Sequence, residues 1–126
     1  MNPNNHLVLS SLSHTWFLDL DGTILFHNGY KDNGIDVFVP GAKEFLMSLP
    51  PDDRIIFVTS RLKKYKEITE NFLHEHNIQF SDVIYEIPYG ERIIINDNKP
   101  SGLKTAIACS VNRNTFDVSF TIDESK

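Results

Sequence analysis

The chain has 126 residues, of which 40% are hydrophobic and 23% are charged, and its formal net charge is −5. This length is typical of one compact domain, and no apolar run approaches the roughly 20 residues that a membrane span requires. The negative charge argues against a nucleic-acid-binding protein, which needs a basic face for the phosphates. We therefore expect a single domain over residues 1–126, with neither a membrane nor a nucleic acid as partner.

The first 13 residues are mostly polar, and their one apolar patch covers residues 7–9. They lack the basic and long apolar regions of a secretory signal, which predicts a loose lead-in and a cytoplasmic protein. Cys109 is the single cysteine, so no internal disulfide can form, as expected in a reducing compartment. Its place in an apolar helical pattern predicts a core position.

The first predicted strand is the apolar run over residues 16–18, which ends in the sequence DLDGT. A short apolar run bounded by Asp and Gly is typical of a buried strand that gives way to a turn. Residues 24–39 then mix aromatic side chains with Asn, Gly and Asp. This composition predicts a hairpin-like flap with a turn at its tip.

A short helix is predicted between Pro40 and Pro50, because apolar residues recur there at helical spacing. The second strand, over residues 55–58, ends at the polar sequence Thr59-Ser60-Arg61. A second amphipathic helix follows. Its predicted apolar face consists of Tyr65, Ile68, Thr69, Phe72, Leu73 and His76.

Two shorter strands are predicted over residues 83–87 and 93–95, and the second ends at Asn96 and Asp97. Ser101 can cap a third helix, and residues 116–122 alternate like a final strand. Strands that alternate with helices predict an α/β fold with a doubly wound, mostly parallel sheet covered on both faces. Ligands bind such sheets at the carboxyl ends of the strands. The polar sequences that follow three of the predicted strands, at residues 19–23, 59–61 and 96–97, lie at these ends.

Asp19 and Asp21 are two residues apart at the end of a strand, so an extended backbone points both carboxylates to one side. Carboxylates that close repel each other unless a cation or a shared proton intervenes, and Mg²⁺ prefers oxygen ligands. Gly22 permits a sharp turn, and the Thr23 hydroxyl can tie it. The pattern therefore favours a divalent-cation site beside reactive carboxylates.

The segment WFLDLDGTIL resembles the first signature of the haloacid dehalogenase superfamily, an apolar strand followed by DxDGT. The resemblance implies that Asp19 attacks phosphorus to form an aspartyl-phosphate, and that Asp21 is the general acid and base. It also implies a Rossmann-like core with strand order 5-4-1-2-3. The flap and a helix account for the residues between Asp21 and Thr59, so none remain there to form a folded cap domain.

Two further segments resemble signatures of the same family. IIFVTSR implies that Thr59 binds the transferring phosphoryl group, with Ser60 as the near alternative. IIINDNKPSG implies that Asp97 holds Mg²⁺, together with Asp19 and the backbone carbonyl of Asp21. The predicted substrate-binding residues are Gly22, Thr23, Ser60 and Arg61.

The third signature of the family is a lysine that neutralises the nucleophile and the phosphate, and here the chain departs from the pattern. It has no lysine between Lys66 and Lys99. We assign the role to Lys99, just beyond the predicted metal ligand. Lys63, Lys64 and Arg92 are the alternatives.

The resemblance implies a capless, Mg²⁺-dependent phosphatase that hydrolyses a phosphate monoester. An open site favours either a large phosphorylated substrate or a second copy of the chain acting as a lid, and small phosphosugars stay open. One rival is a receiver-type signalling module that accepts phosphate without turnover, although the phosphoacceptor of such modules ends the third strand rather than the first. The other rival is a catalytically idle binding or scaffold protein, which the missing lysine favours.

Overall fold

The computed structural model describes residues 5–126, which form an α/β structure with parallel strands in two small sheets. Residues 1–4 of the predicted lead-in lie outside the described residues. In chain order the elements are β1 (His6–Leu9), β2 (Thr15–Asp19), α1 (Gly29–Asp32), α2 (Ala42–Ser48), β3 (Arg54–Val58), a 3₁₀ turn (Lys63–Tyr65), α3 (Lys66–Glu75), β4 (Asp82–Ile84) and β5 (Ser119–Ile122). No helix among these residues is long and apolar enough to cross a bilayer.

The larger sheet has three parallel strands in the order β2-β3-β4. Asp19 is the register partner of Val58, which in turn pairs with Ile84, so the carboxyl ends of the strands lie at one edge. The parallel direction follows from the connections, because α2 lies between β2 and β3 and α3 lies between β3 and β4. The strands predicted over residues 16–18, 55–58 and 83–87 are therefore neighbours.

One hydrophobic core lies where the two longer helices meet this sheet. Phe57 of β3 and Leu73 of α3 are fully buried, and Ala42 and Leu46 of α2 pack in the same cluster. The buried residues of α2 are spaced by three and four positions, which places them on one face of the helix. The helices predicted after Pro40 and after Arg61 are confirmed.

The smaller sheet corrects the prediction of a loose lead-in. Strand β1 pairs in parallel with β5, in a register that runs from His6 opposite Ser119 to Leu9 opposite Ile122. The two strands come from opposite ends of the chain. A four-residue patch has no helical or long apolar pattern of its own, and it becomes a strand only because a distant segment supplies its hydrogen-bond partners.

Residues 85–118 contain neither a helix nor a named strand, which corrects two further predictions. The strand expected over residues 93–95 is irregular, and Ile93 and Ile95 are largely exposed. The helix expected from Ser101 is also absent, so Cys109 is exposed rather than buried. A three-residue apolar run forms a strand only where it meets a sheet edge, and here it pairs with none among the described residues.

The sheet is therefore less covered than predicted on one face, where half of the Phe17 surface is exposed. The final predicted strand is present as β5, but its partner is β1. The described residues thus form two small sheets rather than one sheet of five strands. Residues of α2 and α3 pack in the core cluster with Phe57 of the sheet, while the segment after β4 contributes no helix to cover the other face.

The flap predicted over residues 24–39 is present, with a helical tip. Its two arms are joined by hydrogen bonds from the Phe26 amide to the Val37 carbonyl and from the Val39 amide to the Ile24 carbonyl, each 2.9 Å long. An antiparallel bridge joins Leu25 and Phe38. Helix α1 occupies the tip, so the chain turns through a short helix rather than a tight turn.

Candidate active site

The two acids of the DxDGT segment lie at the carboxyl end of β2. Asp19 is the last residue of the strand, and Leu20 is fully buried while Asp19 and Asp21 are partly exposed. The Leu20 carbonyl accepts hydrogen bonds from the amides of Ile24 and Leu25, at 3.0 and 2.9 Å, which closes the turn after the strand. The buried leucine thus anchors the loop and leaves both carboxylates at the edge of the sheet.

Gly22 lies in this turn with φ 88°, a left-handed conformation that glycine adopts without strain. Its carbonyl accepts a 2.7 Å hydrogen bond from the Asn114 amide, and the Asn114 side chain accepts a 2.8 Å bond from the His27 amide. A Cβ at Gly22 would lie 3.4 Å from the Arg113 side chain. The segment before β5 therefore packs against the turn that carries the acids.

The Asp19 carboxylate has two side-chain partners. Thr23 donates its hydroxyl to Asp19 Oδ2 at 3.0 Å, and Arg92 Nη1 donates to Asp19 Oδ1 at 2.9 Å. The same Arg92 nitrogen donates to the Val58 carbonyl at 3.2 Å. Because 32% of the Asp19 side chain stays exposed, the carboxylate is both oriented and accessible.

Thr59 follows β3 directly and is fully buried. Its hydroxyl oxygen accepts a 3.1 Å hydrogen bond from the Arg61 amide, which leaves the hydroxyl hydrogen available for another acceptor. Since Asp19 and Val58 are register partners, Thr59 lies one residue beyond the level of Asp19 on the adjacent strand. Ser60 is half-buried beside it.

Arg61 is buried and ion-paired with two carboxylates rather than free at the rim. Its Nη2 lies 2.9 Å from Asp21 and 2.7 Å from Asp36. Burial by itself would lower the pKa of Arg61, but the hydrogen bonds and negative charges of Asp21 and Asp36 outweigh burial and raise that pKa above its ordinary value. The guanidinium is therefore permanently charged.

Tyr30, on the flap helix α1, lies against this guanidinium. Its ring centroid is 3.9 Å from Arg61 Cζ, a cation–π distance, and its ring meets Tyr65 edge-on at 4.8 Å. Burial, followed by the negative charge of Asp21, raises the pKa of Tyr30. The phenol is therefore neutral at physiological pH and acts as an apolar wall with a polar tip.

Asp97 and Lys99 lie in the irregular segment after β4, and both are exposed. The backbone amide of Asp97 bonds to the Asn96 side chain, and that of Lys99 bonds to the Leu103 carbonyl. Within residues 5–126, no three or more His, Cys, Asp or Glu side chains form a group that could hold a metal ion. The carboxylates of Asp19, Asp21 and Asp97 are therefore not gathered into one such group in the structure.

Sequence reasoning missed Asp36 and Thr69 as parts of this site. Asp36 lies in the flap between two exposed apolar residues, Ile35 and Val37, yet it is itself buried. An acid within an apolar stretch is a weak signal of a buried ion pair, and nothing local identifies its partner. Thr69 was assigned only to the apolar face of its helix.

Comparison of the chain with protein-family models, with curated proteins and with solved structures gives no match. The chemical groups that define the candidate site lie at the ends of β2 and β3. These groups comprise an accessible carboxylate, a second carboxylate in a fixed orientation, a buried hydroxyl and a guanidinium. Such a set can attack, protonate and neutralise an anionic substrate.

Proposed function

We propose that the protein hydrolyses phosphate monoesters in the manner of the haloacid dehalogenase superfamily, through an aspartyl-phosphate on Asp19. The observation that carries the proposal is the parallel register of β2 and β3, in which Asp19 is the partner of Val58. Because of that register, the strand end with Asp19 and Asp21 lies beside the strand end with Thr59. The resemblance of DLDGT and IIFVTSR to the family signatures gives these residues their roles.

In the proposed reaction an oxygen of the Asp19 carboxylate attacks phosphorus, and the bond from phosphorus to the leaving oxygen breaks. Asp21 gives a proton to that oxygen. Asp21 then takes a proton from the water that attacks the aspartyl-phosphate, which releases phosphate and restores Asp19. Thr59 donates its hydroxyl hydrogen to a phosphoryl oxygen.

The magnitudes explain why several groups are needed. Enzymes accelerate phosphate monoester hydrolysis by up to about 10²¹-fold, whereas general acid–base catalysis contributes roughly 10² to 10⁴-fold. Covalent attack, positioning and charge stabilisation must supply the remainder. An isolated acid pair on a turn would therefore be a poor phosphatase.

Arg92 is our choice for the positive charge beside the nucleophile, the role that the sequence assigned to Lys99. It contacts Asp19 directly, whereas Lys99 lies in an exposed segment, where its backbone amide bonds to the Leu103 carbonyl. A guanidinium is charged at every physiological pH and can bind two oxygens of one phosphoryl group. The chain thus replaces the usual lysine with an arginine that precedes Asp97.

The proposal includes Mg²⁺ as cofactor and a capless core with strand order 5-4-1-2-3, and both parts rest on the resemblance. Bound Mg²⁺ would supply positive charge to the phosphate. Among the described residues β2 pairs only with β3, so one of its edges is free, and residues 93–95 would have to reach that edge to bring Asp97 near Asp19. Calorimetric titration of Mg²⁺ into wild type and Asp97→Ala tests the ion without an activity assay.

Phosphate release from p-nitrophenyl phosphate in the presence of Mg²⁺ tests the activity. We expect turnover by wild type, a background rate for Asp19→Asn, and full activity for the matched control Asp52→Asn, an exposed acid before β3. Equal rates for wild type and Asp19→Asn would favour the idle scaffold. Incorporation of phosphate on Asp19 without turnover would favour the receiver-type module.

A further inference from the structure

Arg61 lies at the centre of a buried cluster that joins three parts of the chain. We call this group the Arg61 cluster; its members are Asp21, Tyr30, Asp36, Arg61 and Thr69. Nε and Nη2 of Arg61 each donate to one oxygen of Asp21 at 2.9 Å. Nη1 and Nη2 donate to the two oxygens of Asp36 at 3.0 and 2.7 Å, and Nη1 also donates to Thr69 Oγ1 at 2.8 Å.

These contacts use all five N–H groups of the guanidinium. The Arg61 side chain is also fully buried, and no free N–H donor remains for a substrate phosphate. Arg61 was predicted to bind substrate from its position after Thr59. Arg61 instead donates its hydrogen bonds within the protein, most importantly to Asp21.

The geometry of the cluster allows one orientation of the guanidinium plane. Two of its edges are each held by a carboxylate in a bidentate pair, and such paired hydrogen bonds fix direction as well as distance. Arg61 Cζ lies 3.9 Å from the Tyr30 ring centroid, and Thr69 of α3 accepts the remaining hydrogen. Asp36 and Tyr30 belong to the flap, so the flap itself sets the angle of the plane.

Asp21 keeps a free acceptor position on each carboxylate oxygen in this arrangement. Each of its carboxylate oxygens accepts one hydrogen bond from Arg61, and each has a second lone pair. Its side chain is 15% exposed, whereas those of Asp36 and Arg61 are at most 4% exposed. Asp21 is thus the one charged member of the cluster that a substrate can reach.

We propose that Arg61 and Asp36 are positioning residues for Asp21: the flap carboxylate orients the guanidinium, and the guanidinium orients the general acid. This inference rests on the proposed function, because it takes Asp21 to protonate the leaving oxygen. A reacting group displaced by about 1 Å can lose roughly 10²-fold in rate. The flap therefore contributes to catalysis without contacting the reacting atoms.

The test compares two substrates that differ in their need for a proton. p-Nitrophenolate leaves readily without protonation, whereas the alkoxide of glycerol 2-phosphate requires a general acid. For Asp36→Asn we expect kcat/KM to fall about 10 to 100-fold with glycerol 2-phosphate and less than about 3-fold with p-nitrophenyl phosphate. The ratio of kcat/KM reports the step in which the leaving group departs.

Asp53→Asn is the matched control, since Asp53 is another buried carboxylate with several donors and lies at the opposite end of the sheet. It is expected to leave the ratio of the two substrates unchanged. Arg61→Lys keeps the charge but loses the bidentate fork, so it should change the ratio in the same direction as Asp36→Asn. If Asp36→Asn does not fold, Arg61→Lys provides the comparison between the two substrates.

The outcomes separate the inference from the proposed function. Parallel losses on both substrates in Asp36→Asn, or no loss on either, would overturn the positioning role while leaving the phosphatase in place. A wild-type protein inactive on both esters would overturn the proposed function, and the inference with it. A selective loss on glycerol 2-phosphate supports both.

Discussion

Arg92 Nη1 donates a 2.9 Å hydrogen bond to Asp19 Oδ1, although 73 residues separate the two in the chain. The same nitrogen reaches the carbonyl of Val58, so one guanidinium bridges the ends of β2 and β3. A permanent positive charge thus lies against the carboxylate that we propose as nucleophile. It reduces the repulsion that an approaching phosphate dianion would meet from Asp19.

Replacement of Arg92 tests that role. We expect Arg92→Ala to lower kcat/KM for p-nitrophenyl phosphate by about 10² to 10³-fold, the usual loss on removal of one charge-stabilising donor. Arg54→Ala, which removes an exposed arginine at the other end of β3, is the control. A larger loss of kcat/KM in Lys99→Ala than in Arg92→Ala would assign the positive charge beside the nucleophile to Lys99.

Arg61→Ala is expected to lower the free energy of unfolding by about 3–5 kcal/mol, because it leaves the buried Asp36 and the half-buried Asp21 side by side without a counter-ion. Urea unfolding followed by circular dichroism measures the loss. Lys104→Ala, at an exposed position, should change stability by no more than about 0.5 kcal/mol. A loss below about 1 kcal/mol in Arg61→Ala would mean that water reaches the cluster freely.

Asp53 makes part of the stability depend on pH. Burial would raise its pKa, but hydrogen bonds from Trp16 and His14 outweigh burial and hold the pKa below the ordinary 3.8. A carboxyl with a lowered pKa stabilises the fold above its unfolded pKa, and that contribution is lost as the pH falls through the folded pKa.

Asp53→Asn should therefore cost about 1–3 kcal/mol near neutrality, because buried donors lose their charged acceptor. Its difference from wild type should shrink as the pH falls below the ordinary value of 3.8. Urea midpoints measured from about pH 7 down to about pH 3 give the comparison. A difference that stays constant over this range would contradict the linkage.

Trp16 is the only tryptophan, so its fluorescence reports the junction of the two sheets. Its ring centroid lies 5.5 Å from those of Phe45 and Phe120, and 9% of its surface is exposed. Phe120→Ala should shift the emission to longer wavelength and cost about 1.5–3 kcal/mol, because it opens this contact to water.

Phe17→Ala is the matched control for that experiment. Phe17 lies next to Trp16 on β2 but is half-exposed on the other side of the strand. Its removal should leave the emission maximum in place. An unchanged spectrum in Phe120→Ala would show that β5 does not cover the tryptophan in solution.

The local elements were predictable because their signals lie within a few residues of each other. The helical spacing in α2, the apolar run of β3 and the turn chemistry after Asp19 are each contained in one short segment. That β2, β3 and β4 are neighbours in one sheet followed from the alternation of strands and helices. The assignment of Mg²⁺ and of the reacting groups stays a prediction.

The features that could not be predicted depend on partners far away in the chain. β1 becomes a strand through β5, and the run at 93–95 stays irregular because it pairs with no edge among the described residues. Arg61 looked like a rim residue until Asp36 was placed beside it. In each case the sequence shows the residue type but not the distant residue with which it interacts.

The sequence by itself determined which short segments become the central strands and helices, and it put acids at one strand end and a threonine at the next. Backbone periodicity and turn chemistry are local, so they can be read from neighbouring residues. Only the tertiary structure decided that Arg61 faces Asp21 and Asp36, and that Arg92 rather than Lys99 reaches Asp19. The interaction between two charged side chains depends on their distance in space, and the order of residues in the chain does not give that distance.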